Sequence, residues 1–180
     1  ILISGILLPI SSKPRKLKLI SWWCKYLLQA FNMRIVLTGN VPKPPHTMHN
    51  TMVIANHISW ADIHALTSVM PLRFIAKQEI KTWPVFGFLA SKANALFIDR
   101  SKRRDAAKTV TITKESLLSG DNICLFPEGT TTDGTEIKPF KSSLIQAAIE
   151  AKSTLQPVVI RYPCGQNKVN TELAYAGETT

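Results

Sequence analysis

Acidic residues are absent from the first third of this chain. Asp62 is the first Asp or Glu in 180 residues, and every charged residue before it is Lys or Arg. Over the whole sequence, 22 Lys and Arg stand against 12 Asp and Glu, which gives a formal net charge of +10. This excess indicates a polyanionic partner, and anionic lipid headgroups, a phosphorylated substrate and nucleic acid all fit it.

Cysteine is scarce. Cys24, Cys124 and Cys164 are odd in number and widely spaced, which fits neither a disulfide framework nor the ligand spacing of a zinc site. This usage is typical of a reducing compartment. His46 and His49 lie three apart in a Pro-rich stretch, and we interpret them as solvent-facing side chains. We therefore predict no metal site.

Long apolar runs are also lacking. Residues 1–10 are apolar, but a helix needs roughly 20 such residues to span a bilayer. Because the chain begins at Ile1 without Met, we expect these ten residues to be the end of a longer apolar segment.

A helical pattern follows a basic cluster near the amino terminus. Its apolar and aromatic positions recur at helical spacing: Leu19, Trp22, Trp23, Tyr26, Leu27, Ala30 and Phe31. Aromatic rings beside Lys and Arg are typical of a membrane interface. The basic cluster after the apolar residues 1–10 indicates the cytoplasmic face of the membrane, which is the inner membrane if the source is bacterial. The alternative is an amphipathic helix packed on the domain. We predict a membrane-associated helical segment over 1–37, a Pro-rich linker over 38–50 and a domain over 51–180.

Strand and helix patterns alternate through the last of these zones. The predicted strands are 51–55, 73–76, 95–98, 122–126 and 157–162, the last of them a core strand led by a proline. The predicted helices are 59–68, 84–91, 102–118, which Gly120 would stop, and 142–152. This alternation predicts an α/β fold with a largely parallel central sheet flanked by helices.

His57 and Asp62 follow the first predicted strand. Histidine moves protons near neutral pH, and a carboxylate can orient it and stabilise its charged form. On one regular helix the two side chains would lie about 140° apart. They can meet if His57 precedes the helix and Asp62 lies in its first turn, and Ser59 to Asp62 resembles a capping box. The alternative is a structural one, in which Asp62 only caps the helix and His57 only fills a turn.

Two further blocks could bind a substrate. Arg100 ends Phe-Ile-Asp-Arg after the third strand, where its guanidinium could grip a phosphate, unless it is only part of a solvated helix start. Glu128, Gly129 and Thr130 lie in Phe-Pro-Glu-Gly-Thr after the fourth strand, where Pro127 turns the chain. Here the alternative is an ordinary turn with an exposed Glu.

In this order, the three blocks resemble the glycerolipid acyltransferases, in particular the 1-acylglycerol-3-phosphate acyltransferase group. The resemblance covers roughly 53–160, and Asn56, His57 and Asp62 match its first block. It implies an O-acyltransferase of phospholipid biosynthesis that uses acyl-CoA or acyl-carrier protein to acylate a lysolipid hydroxyl. The acceptor expected first is 1-acyl-sn-glycerol-3-phosphate (lysophosphatidic acid), which would give phosphatidic acid. His57 would be the general base and Asp62 its orienting carboxylate.

In the same resemblance, Arg100 would hold the acceptor's phosphate, and the Glu-Gly-Thr turn would shape the acceptor site. Neither a metal nor a bound cofactor is implied, because the thioester is already activated. The expected partners are membrane lipids, the lysolipid and the acyl donor.

Departures from the family pattern bear on the acceptor. Asn94 stands where the family often has Gly, and Thr131 and Thr132 stand where it often has Arg-Ser. The missing Arg weakens the expectation of lysophosphatidic acid, and the run from Glu128 to Gly134 is similar to that of lyso-ornithine lipid acyltransferases. The alternative from another class is a basic nucleic-acid-binding module. We predict no nucleic-acid partner, because the aromatic residues are not interleaved with the basic ones.

Overall fold

Five short strands pair side by side, all parallel, to form the central sheet. They are β1 (Thr51–Ala55), β2 (Arg73–Lys77), β3 (Leu96–Ile98), β4 (Asn122–Leu125) and β5 (Thr154–Val158). Their order across the sheet is β3-β2-β4-β1-β5. The computed structural model describes residues 11–39, 48–84, 86–98, 103–165 and 168–170.

Helices connect the strands and cover both faces of the sheet. The α-helices are α1 (Lys13–Ala30), α2 (Ala61–Val69), α3 (Phe86–Lys92), α4 (Arg103–Leu118) and α5 (Ile145–Glu150). Within the described ranges, 3-10 helices span Gln78–Thr82 and Ser142–Leu144, and an antiparallel hairpin, β6 (Pro163–Cys164) with β7 (Lys168–Val169), follows β5. The predicted α/β fold with a parallel sheet flanked by helices is confirmed.

The core has one layer on each face of the sheet, because successive side chains of a strand point in opposite directions. In β1, Met52 belongs to the layer that includes Leu117 of α4 and Ala148 of α5. Val53 belongs to the opposite layer, with Leu66 of α2. These residues are buried, so the sheet is fixed between the two helical layers.

The prediction for the last strand was wrong in its residue bounds and in its location within the sheet. The strand spans Thr154–Val158 rather than 157–162, and it lies at one edge of the sheet, where Leu155 and Val159 are exposed. Pro157 pairs opposite Ile54 in this strand. Proline has no N–H to donate to a second neighbour, so an edge strand accommodates it where a central strand would not.

The last predicted helix, 142–152, is also shorter than expected. A 3-10 turn leads into α5, which ends at Glu150. Lys152 has a φ of +50°, a left-handed conformation that a helix cannot continue through.

Helix α1 packs on α2 through one face. Cys24 and Leu28 are buried, and the Ser21 hydroxyl donates to the carbonyl of Ser68 at 2.7 Å. The other face leaves Trp22 and Tyr26 exposed and stacked on each other. Among the helices of the described ranges, none is both long enough and apolar enough to cross a bilayer.

Candidate active site

The carboxyl ends of β1, β4 and β5 meet at one edge of the sheet. Ile54 of β1 pairs with Leu125 of β4 and with Pro157 of β5. The segments that follow these strands therefore lie side by side, although about 70 and 100 residues separate them from the end of β1 in sequence. This edge is where open parallel sheets place their ligands.

His57 and Asp62 are in direct contact at this edge. His57 lies in the loop before α2, and Asp62 is the second residue of that helix, so the 140° separation does not apply. The Nδ1 atom of His57 lies 2.8 Å from Oδ2 of Asp62. The same oxygen accepts hydrogen bonds from the backbone N–H groups of Ile58 at 2.6 Å and Ser59 at 2.9 Å. Asp62 therefore binds both the backbone just before α2 and the ring of His57, although the N-cap of the helix is Trp60 and not Ser59, and no side chain caps it.

This arrangement decides which nitrogen of His57 bears the proton. A carboxylate oxygen that already accepts two N–H groups is an acceptor toward Nδ1 as well, so Nδ1 is the donor. The lone pair of the neutral imidazole is then on Nε2, and this atom can accept a proton. Asp62 is fully buried, while the side chain of His57 keeps 17% of its surface exposed. The pair thus combines a buried carboxylate with a base that solvent or a substrate can reach.

Aromatic stacking fixes the plane of the imidazole. The ring of Phe126 lies parallel to that of His57, with 4.0 Å between the centroids and 12° between the planes. Phe74 stacks in turn on Phe126. The sequence places Phe126 first in the Phe-Pro-Glu-Gly-Thr block but carries no sign of its contact with His57.

Glu128 lies beneath the His57 loop and not in solvent. It is 2% exposed, which excludes the alternative of an ordinary turn with an exposed Glu. One carboxylate oxygen accepts the backbone N–H of His57 at 2.9 Å, and the other accepts that of Lys138 at 3.0 Å. Glu128 therefore ties the backbone of the histidine to the 128–138 loop.

The residues after Glu128 differ in their surroundings. Gly129 has a φ of +73°, and a Cβ there would stand 2.9 Å from the Nζ atom of Lys141. Thr130 is exposed, whereas Thr132 is buried and donates its backbone N–H to the carbonyl of His57 at 2.9 Å. The main chain of His57 is thus held on both sides of its Cα atom.

Arg100, the predicted phosphate ligand, lies outside the described residues. Strand β3 ends just before it, at Ile98, which pairs with Lys77 at the end of β2. Because β2 and β4 lie between β3 and β1, a strand spacing of about 4.8 Å puts β3 about 14 Å from β1. The assignment of Arg100 to the acceptor's phosphate stays a prediction.

Two contacts at the site were not predicted from the sequence: one of Tyr162 with the pair, and one of Asn56 with the segment before Tyr162. The Tyr162 hydroxyl donates to Oδ1 of Asp62 at 2.6 Å. The side chain of Asn56 hydrogen-bonds the backbone of Ile160 in both directions. The sequence holds only an indirect signal for these contacts. Residues just past a strand that pairs with β1 must come to the same edge of the sheet as His57.

Cys124 lies below the pair and is fully buried. Burial raises the pKa of its thiol well above the ordinary value, and the charge of Asp62 raises it further. The thiol therefore stays protonated and is not a nucleophile. Within the ranges that the structure describes, no three His, Cys, Asp or Glu residues cluster as metal ligands. His49 lies there and is exposed, whereas His46 lies outside those ranges.

Fold and site together define an α/β protein with a histidine–carboxylate pair at the carboxyl edge of a parallel sheet. The model of the Acyltransferase family matches residues 34–161. The chain belongs to this family, and the resemblance read from the three sequence blocks is confirmed.

Relatives with two different names are similar to this chain. The chain is 42% identical over 135 residues to the 1-acyl-sn-glycerol-3-phosphate acyltransferase of Neisseria gonorrhoeae, covering 75% of this chain and 52% of the relative. It is 38% identical over 149 residues to the lyso-ornithine lipid O-acyltransferase of Pseudomonas aeruginosa, covering 83% of this chain and 55% of the relative. The chain thus spans about half the length of these curated relatives.

A solved structure shares the fold. The crystal structure of the 1-acyl-sn-glycerophosphate (LPA) acyltransferase PlsC from Thermotoga maritima matches with a TM-score of 0.67. The match covers 87% of this chain and 73% of that chain at 22% sequence identity, which shows the same architecture.

Proposed function

We propose that this chain contains the catalytic site of an O-acyltransferase. It would transfer a fatty acyl group from acyl-CoA or acyl-carrier protein to the free hydroxyl of a lysolipid. One observation supports this above the others: Asp62 binds Nδ1 of His57 at the carboxyl edge of the sheet, which leaves Nε2 as the proton acceptor. The names of the relatives in both groups are consistent with this reaction.

In the proposed reaction, His57 is the general base. Nε2 removes the proton of the lysolipid hydroxyl while that oxygen attacks the thioester carbonyl. The new ester C–O bond forms, the C–S bond breaks, and the imidazolium returns its proton to the departing thiolate. Asp62 stabilises the imidazolium in between, and general-base catalysis of this kind accounts for about 10²–10⁴-fold in rate. Because the thioester is already activated, the reaction needs neither a metal nor a bound cofactor.

The acceptor that we propose is 1-acyl-sn-glycerol-3-phosphate, which would give phosphatidic acid. The net charge of +10 and the predicted role of Arg100 support an acceptor that bears a phosphate. Lys141 supports it too, because its Nζ atom lies over Gly129 and supplies a cation to a turn that has none of its own. Gly129 and Thr130 stay predicted substrate-binding residues. Glu128 would act on the acceptor through the shape of the turn, because its carboxylate binds backbone amides.

Lyso-ornithine lipid is the second candidate. Thr131 and Thr132 replace the Arg-Ser that the family often has, and Thr132 is buried against the His57 backbone. The turn therefore lacks the arginine that would meet a phosphate. The identity of 38% to a relative with this name is close to the 42% of the other group.

Thiol release from a long-chain acyl thioester tests the function and the acceptor together. The purified full-length protein in detergent is expected to release thiol with 1-acyl-sn-glycerol-3-phosphate at a higher kcat/KM than with lyso-ornithine lipid. Arg100→Ala should raise the KM of the phosphate acceptor and leave that of the thioester unchanged. Lys108→Met, which removes a cation from the exposed side of α4, is the control for net charge. A higher kcat/KM with lyso-ornithine lipid would select the second candidate. No thiol release with either lipid would contradict the proposed acyltransferase activity.

The amino-terminal helix is proposed to bind the membrane surface. Exposed aromatic residues lie here in two pairs: Trp22 stacks on Tyr26, and Phe31 touches Trp60 edge to face. Exposed Lys18 and Lys25 lie within about one turn of Trp22 on α1. Such surfaces insert at the headgroup level of a bilayer. The purified protein is expected to float with vesicles that contain anionic lipid, and Trp22→Ser with Trp60→Ser should reduce the floated fraction. Equal flotation of the double variant would remove this surface from membrane binding.

A further inference from the structure

We propose that Tyr162 is a positioning residue of this site: its hydroxyl holds the second oxygen of Asp62 and so directs the first oxygen at His57. The inference rests on the proposed function, since it concerns the base of that reaction. It adds a third side chain, from a separate part of the chain, to the local pair of His57 and Asp62.

The contact is short and joins a neutral donor to a buried carboxylate. The Tyr162 hydroxyl lies 2.6 Å from Oδ1 of Asp62, within the range of charge-assisted O–H···O hydrogen bonds. Asp62 is fully buried, so an oxygen without a donor there would lose its hydration without replacement. Because three donors bind Oδ2 and Tyr162 binds Oδ1, the carboxylate has a single favourable orientation, with Oδ2 toward Nδ1 of His57.

The fold places Tyr162 through the residue next to the base. The Asn56 carboxamide oxygen accepts the N–H of Ile160 at 2.7 Å, and its amide group donates to the carbonyl of Ile160 at 3.0 Å. On the other side, the N–H of Asn170 donates to the carbonyl of Tyr162 at 2.8 Å. The loop that bears His57 and the segment that bears Tyr162 are thus held together by hydrogen bonds that include neither ring.

Tyr162 acts on Asp62 and not on the reacting atoms. Its hydroxyl proton is directed at Asp62, which leaves the Nε2 side of the imidazole to the substrate. Burial raises the pKa of the Tyr162 hydroxyl well above the ordinary value, and the neighbouring charge of Asp62 raises it further. The hydroxyl therefore stays protonated and remains a donor throughout the reaction.

Tyr162→Phe tests this role, because it removes the hydroxyl and keeps the ring. We expect kcat to fall about tenfold, the effect of losing one hydrogen bond to a charged group, with the KM of both substrates within about twofold of the wild-type value. Thr111→Val is the matched control. It removes a hydroxyl that bonds the carbonyl of Ala107 on the exposed side of α4, and kcat should not change. An unchanged kcat in Tyr162→Phe, or an effect confined to KM, would overturn the proposal.

A double-mutant cycle separates positioning from general destabilisation. In an Asp62→Asn background, Tyr162→Phe is expected to change kcat by less than about twofold, because the interaction that it removes is already impaired. The same tenfold loss in both backgrounds would show that Tyr162 acts elsewhere.

A spectroscopic readout does not depend on activity. In ¹⁵N spectra of the wild-type protein and Tyr162→Phe, the Nδ1 resonance of His57 should shift, while that of exposed His49 should not. An unshifted His57 resonance would overturn the role of Tyr162 even if the offered lipids were not substrates. Conversely, a shifted resonance without turnover in the wild-type protein would overturn only the proposed function. If Tyr162→Phe does not fold, the wild-type Tyr162 hydroxyl proton is measured instead: slow exchange with water is expected, and rapid exchange would contradict the contact.

Discussion

His57→Ala is expected to lower the rate of acyl transfer by about 10²–10⁴-fold, the range of general-base catalysis. The protein should still fold, because the loop is held by the main chain of residue 57. Its N–H donates to Glu128 and its carbonyl accepts from Thr132, and both bonds survive in alanine. Thiol release at saturating substrate measures the loss, and thermal unfolding measures the fold.

His49→Ala is the matched control for this variant. His49 is an exposed histidine just before β1, and its carbonyl, which the Thr51 hydroxyl bonds, is unaffected by the substitution. Its rate should equal that of the wild-type protein. If His57→Ala retained a rate within about tenfold of the wild-type value, His57 would not be the base.

Asp62→Asn is expected to lower kcat by a similar factor, about 10²–10⁴-fold, for a different reason. Asparagine has the same shape but one oxygen. If that oxygen keeps the three donors around Oδ2, the amide group faces the Tyr162 hydroxyl, which can rotate to accept. The fold then persists, at a cost of about 1–3 kcal/mol in the free energy of unfolding. The neutral amide does not stabilise the imidazolium, so the chemical step slows.

Asp121→Asn distinguishes loss of stability from loss of catalysis. Asp121 binds Arg73 at the amino-terminal end of the sheet, opposite the site, and both side chains are largely buried. This variant should lower the free energy of unfolding but leave kcat unchanged. If Asp62→Asn lost no more activity than Asp121→Asn, Asp62 would serve stability alone.

The local sequence pattern was sufficient to predict most of the strands and helices of the fold. The strand at 51–55 and the helix that ends at Leu118 have the extents expected from periodicity and from the Gly120 stop. Gly120 adopts a φ of +86°, which favours glycine and ends the helix. The strand around Pro157 was misplaced because an apolar run does not reveal whether it lies at the centre or the edge of a sheet.

The contacts of the site were also predictable from the sequence only where they are local. His57 and Asp62 could be paired from the sequence because five residues and one helix start separate them. The contacts of Glu128 and Tyr162 could not, since they depend on β4 and β5 pairing on either side of β1. Glu128 was predicted to shape the acceptor site together with Gly129 and Thr130, and this role stays a prediction. Its buried carboxylate binds two backbone amides.

The sequence by itself determined the α/β class, the order of the blocks and the basic character, and its spacing allowed His57 to meet Asp62. All of these follow from local periodicity, composition and short spacing. Only the tertiary structure decided how the base is held: Phe126 against its ring, Glu128 beneath its backbone and Tyr162 on the far side of Asp62. These contacts join residues about 70 to 100 positions apart. Strand order brings such residues together, and strand order depends on the packing of the whole sheet between its two helical layers.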